Sequence, residues 1–152
     1  MFLKKYKNNL NDDFVLGYYI HLYTDYLWFK YFISEIINKD CIRKLDDSLI
    51  KTDKKTIWQY IYEDYTNLNI QLVDKYELDL KIFYNEIPDM EPIIEEIPMH
   101  KLNIVVDKAG VILANSKTKK EYVFNLENIE QFINTSTDLI ISELKKELKI
   151  MK

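Results

Sequence analysis

His21 and Asp25 stand four residues apart in the apolar, aromatic run Gly17–Phe32, GYYIHLYTDYLWFKYF. On a helix, residues at this spacing share one face, about 6 Å apart along the axis. An imidazole and a carboxylate placed so can converge on one ion, and zinc accepts both as ligands. Three readings of the pair compete: a metal or catalytic site, a buried structural hydrogen bond, and a surface pair. Gly17 opens space one turn before His21, Trp28 continues the stripe, and Thr24 lies beside it. Those three are the candidate substrate contacts.

A catalytic zinc needs three protein ligands. The only other histidine is His100, which follows EIPM and reads as an exposed residue near a helix start. The better third ligand is a carboxylate from YIYEDYTNLN, where Glu63 and Asp64 are adjacent. Asp64 falls on the helical face of Ile57, Ile61 and Leu68. If that face is buried, Asp64 requires a partner, because an unpaired buried charge is costly. The candidate metal set is therefore His21, Asp25 and Asp64, and no residue is assigned as the catalytic acid or base.

Other chemistries lack their residues. With 2 glycines, Gly17 and Gly110, there is no Gly-rich phosphate loop. No nucleophile elbow hosts a serine, and there is no adjacent His-Asp doublet. Cys41 has no histidine close in sequence to act as its base.

The elements that must position these residues read as helices. The chain has 152 residues, 47% of them hydrophobic and 14% aromatic, enough for one well-packed domain, 1–152. Scarcity of Gly and Pro disfavours sandwiches and barrels, which need many turns. The expected fold is an all-α, single-domain helical bundle around a central aromatic helix over about residues 13–38, capped by Asp12 or Asp13. Residues 40–50 read as a short helix or a loop. Thr52 or Asp53 can cap a second long helix, with a stripe of Ile57, Trp58, Ile61, Tyr62, Tyr65, Leu68 and Leu72. Pro88, Pro92 and Pro98 break the connector at 86–98. Residues 99–115 fit a helix or a hairpin; the helix, with Leu102, Val105, Val106, Ala109, Ile112 and Leu113 in one stripe, is preferred because such short strands would lack partners. Asn125 can cap the last helix, whose buried stripe is Ile129, Phe132, Ile133, Leu139 or Ile140, Leu144 and Leu148.

Charge and composition exclude several partners. The formal net charge is -4, and Arg43 is the single arginine, so no basic patch marks a nucleic-acid footprint. The apolar run 14–33 is about as long as a membrane span, which takes roughly 20 residues. It is interrupted by His21, Thr24, Asp25 and Lys30. Central Asp and Lys cost about 2.5–3.5 kcal/mol each on insertion scales, so no span is expected. The N-terminal MFLKKYKNNLNDD has no signal-peptide pattern. A single cysteine allows no internal disulfide, and a cytoplasmic location is expected.

Residues 13–33, around FVLGYYIHLYTDYLWFKYF, resemble a stretch of the zinc-dependent phospholipase C family, which is related to the S1/P1 nucleases. The resemblance implies a mainly α-helical protein, with His21 and Asp25 matching a metal-ligating His-x-x-x-Asp. It also implies zinc as cofactor and a phospholipid or nucleotide phosphoester as substrate. That family holds its metals with several histidines, whereas this chain has 2. Two functional readings follow. One is a metal-dependent phosphoester hydrolase. The other is a non-catalytic helical module that binds a partner or its own copy, a homodimer using aromatic surface such as Trp58, Tyr60, Tyr62 and Tyr65.

Overall fold

The structure, a computed structural model, describes residues 2–87, 93–114 and 121–149. It is mostly helical, as the composition implies, with one small antiparallel sheet. The helices are α1 (Phe2–Tyr6), α2 (Asp13–Leu27), α3 (Ser34–Ile36), α4 (Lys54–Tyr76), α5 (Leu102–Ala114) and α6 (Leu126–Lys149). The strands are β1 (Ile37–Asn38), β2 (Cys41–Arg43) and β3 (Leu49–Lys51). The chain divides into two compact units, one of Met1–Ile36 with Glu127–Lys152 and one of Ile37–Leu126.

In the first unit, Asp12 caps α2: its Oδ1 accepts from the Phe14 and Val15 backbone N–H groups, each at 3.0 Å. These bonds satisfy donors that no helical carbonyl can reach. After Leu27 the helix widens into a π-helical turn, Trp28–Ile33, before α3. Val15, Tyr19, Leu27, Ile33 and Ile36 are buried along this run. Its opposite face is open, with Gly17, His21, Asp25, Tyr26 and Phe29 exposed, so the aromatic helix is half-buried rather than enclosed. Aromatic stacking joins its two ends to their neighbours. Phe2 of α1 lies against Tyr6, Tyr18 and Tyr19, while Trp28 stacks on Phe32 at 4.4 Å and meets Phe132 of α6 edge-on at 5.0 Å. Such pairs add about 0.5–1.5 kcal/mol each beyond their buried area. Ile129 and Ile140 of α6 are buried, but Ile133, one turn after Ile129, is 42% exposed.

In the second unit, residues 40–50 hold two short strands, Cys41–Arg43 and the start of Leu49–Lys51, joined by a turn over 44–48, where a helix or a loop was expected. Ile42 pairs with Ile37 on one side and Ile50 on the other, and it is fully buried. Cross-strand pairs of β-branched side chains are what stabilise a sheet this small. Asp53, not Thr52, caps α4, accepting from the Thr56 N–H at 3.0 Å. The helix ends at Glu77, which takes a left-handed φ of 48° and donates its N–H to the Val73 carbonyl. Ile57, Ile61, Asp64 and Leu68 are buried on one face of α4, together with Asn67, whereas Tyr62 and Tyr65 are exposed. Residues 102–114 are helical, preceded by one 3-10 turn at Met99–Lys101. Val105 and Ile112 are exposed, so the inward stripe of α5 is narrower than expected. Pro88 and Pro92 of the expected connector, and the side chain of Leu148, lie outside the described residues.

Candidate functional site

His21 and Asp25 do share a face of α2. His21 Nε2 lies 3.5 Å from Asp25 Oδ2, with side chains 64% and 53% exposed. Of the three readings, the geometry is that of a surface pair. The Tyr18 ring is 6.1 Å from the imidazole centre. Gly17 does leave room, since a Cβ built there meets nothing within 4 Å. Thr24 donates its hydroxyl to the Ile20 carbonyl of its own helix at 2.9 Å, and Trp28 turns away into the stack with Phe32 and Phe132. The stripe therefore begins open and ends in aromatic packing.

Asp64 belongs to the second unit and has a different environment. It is fully buried on α4, and its carboxylate receives three consecutive backbone donors. Tyr122 donates to Oδ1 at 2.9 Å and to Oδ2 at 3.1 Å; Val123 and Phe124 donate to Oδ2 at 2.7 and 3.2 Å. Burial raises its carboxyl above the ordinary carboxylate value, while the three N–H groups pull it back down. Val123 and Phe124 are themselves buried, and Tyr122 packs on Tyr60 with ring centres 4.9 Å apart. The carboxylate thus satisfies three consecutive donors of the bend at Tyr122–Phe124.

Those contacts decide how well the candidate set fits a zinc ion. A ligand carboxylate needs an oxygen lone pair aimed at the metal, and Asp64 aims its oxygens at backbone. His21 and Asp25 remain, two ligands where a catalytic zinc takes three. His100 is exposed in the 3-10 turn before α5. Among the described residues, no group of three His, Cys, Asp or Glu side chains is placed to hold a metal ion.

The surface carries features that spacing alone did not reveal. Around the π-helical turn, Tyr26, Phe29 and Tyr31 are each about half exposed. Lys30 sits 4.9 Å from the ring centres of both Tyr26 and Tyr31, and its Nζ donates to the Tyr26 hydroxyl. That bond, and then one to Tyr31, pushes the lysine ammonium above its ordinary value. On α4, Tyr62, Tyr65 and Tyr76 are 66%, 49% and 53% exposed. No described helix is long and apolar enough to cross a membrane. Neither a family model, nor a curated protein, nor a solved structure matches the chain.

Proposed function

We propose that the chain is a non-catalytic helical interaction module that associates with its own copy. One observation carries this: large aromatic side chains stand exposed in helical register on α4, at Tyr62, Tyr65 and Tyr76. Interfaces are enriched in Tyr, Trp and Phe, and helices that present them outward have apolar area still to bury. Light scattering across protein concentration tests the reading. The expected result is a mass that rises toward that of a dimer; a strict monomer throughout would defeat it.

A second reading, a metal-dependent phosphoester hydrolase, is supported by the His21–Asp25 pair on the open face of α2 and by the family resemblance of residues 13–33. Its substrate would be a phospholipid head group or a nucleotide phosphoester. Metal content and phosphodiesterase activity of the purified protein test it. A metal-free, inactive protein whose melting temperature ignores added zinc removes it.

A further inference from the structure

The outward face of α5 is apolar although the helix already has an inner one. Leu102, Val106, Ala109 and Leu113 are half-buried, at helical spacing. This is the side on which α5 meets α4 and the 3-10 turn at Leu80–Phe83. Outside that stripe, Ile104, Val105, Val111 and Ile112 are 51%, 62%, 57% and 39% exposed. Ile104, Asp107, Lys108, Val111 and Ile112 line one open depression.

The order of residues on that face says what covers it. Ile104 and Val111 are seven residues apart, so they lie on one line along the helix. Asp107 and Lys108 sit midway between them, each about 50° off that line, on opposite sides, at 100° per residue. Two copies of α5 can meet along the Ile104–Val111 line in two ways. In an antiparallel pair related by a twofold axis, each flanking side meets itself, so Asp107 faces Asp107 and Lys108 faces Lys108. In a parallel pair, with the axis running along the helices, the sides exchange, and Asp107 of each copy faces Lys108 of the other. Only the parallel pair matches opposite charges, and it does so twice. β-branched residues in the seam also suit a parallel pair of helices.

We infer that the exposed face of α5 is a self-recognition surface, which pairs in parallel with α5 of a second copy of this chain. Ile104 and Val111 meet their own counterparts across the seam, and Asp107 and Lys108 make two reciprocal ion pairs. An isologous contact of this kind closes on itself and stops at a dimer. The inference rests on the reading that the chain associates with its own copy, and it places that contact on α5 rather than on the α4 tyrosines.

Charge exchange and cysteine pairing test it on the full chain. Sedimentation of the wild type across concentration comes first. Asp107→Lys and Lys108→Asp each turn both ion pairs into repulsions, and each is expected to weaken dimerisation about tenfold. The double variant, Asp107→Lys with Lys108→Asp, restores the pairs and the wild-type dimerisation constant. In a Cys41→Ser background, Val111→Cys alone is expected to give a disulfide-linked dimer on mild oxidation. Circular dichroism of each variant verifies folding, which exposed substitutions leave intact. Dimerisation untouched by both single charge variants would put the contact elsewhere and overturn the inference while leaving the interaction reading in place. So would a Val111→Cys chain that links only to an Ile104→Cys chain, which reports the antiparallel pair. A wild type that stays monomeric and instead co-sediments with phosphatidylcholine vesicles assigns the face to lipid, and defeats both.

Discussion

At the scale of single residues, Asp64 ties α4 to Tyr122–Phe124 within the second unit. Three backbone N–H groups depend on one carboxylate, and those of Val123 and Phe124 are buried. Asp64→Asn keeps the shape but turns an amide NH2 toward those donors. It is expected to lower stability by about 1–3 kcal/mol, the cost of buried groups left unsatisfied, measured by denaturant unfolding. His21→Ala and Asp25→Ala should each change stability by under about 1 kcal/mol, because the pair is exposed. Tyr19 gives a pH signature. Burial first, then the nearby Glu143 carboxylate, pushes its phenol from 10.0 up to about 12. The unfolded chain ionises this group from the ordinary value upward, while the folded chain keeps it neutral. The unfolded state therefore binds fewer protons between pH 10 and 12, and stability falls across that window. Tyr19→Phe should flatten that part of the alkaline unfolding profile. That Asp64 shares the face of Ile57, Ile61 and Leu68, and would need a partner if that face were buried, was legible from spacing. Its partner was not, because Tyr122 is 58 residues away in sequence.

At the scale of elements, helix starts were the most legible feature. Asp12 and Asp53 are each followed at once by a helical run, and a cap acts within three residues. The helix over 102–114 was legible too, since its apolar stripe needs only local spacing. The sheet was not. Strands of two or three residues show no alternation to read, and Ile42 becomes a core residue only through pairing with Ile37 and Ile50. Helix α4 ends on a non-glycine residue in left-handed backbone, Glu77, which costs roughly 1–2 kcal/mol. Glu77→Gly is expected to recover part of this, about 1 kcal/mol, and to raise the melting temperature by about 2–4 °C in a scanning measurement.

At the scale of the whole molecule, the first unit is assembled from the two ends of the chain, Met1–Ile36 and Glu127–Lys152. Trp28 and Phe32 lean on Phe132, so their packing waits on the last helix. A chain ended after Leu126 should lose that packing. In a Trp58→Phe background, where Trp28 is the one tryptophan left, its emission should move to the red and gain quencher access. An unchanged spectrum would mean that α6 is dispensable to the aromatic cluster.

Composition and local pattern by themselves determined the helical class, the first two long helix starts to within a residue, the His21–Asp25 face and the face of α4 that Asp64 shares with Ile57, Ile61 and Leu68. All of these follow from interactions within a few residues, or from how much apolar side chain the molecule must hide. Tertiary structure alone decided what those residues do. It left His21 and Asp25 in solvent, gave the oxygens of Asp64 to the backbone of Tyr122, Val123 and Phe124, and left the outer face of α5 uncovered. A carboxylate becomes a ligand or a backbone cap according to which donors reach it, and those donors came from segments distant in sequence.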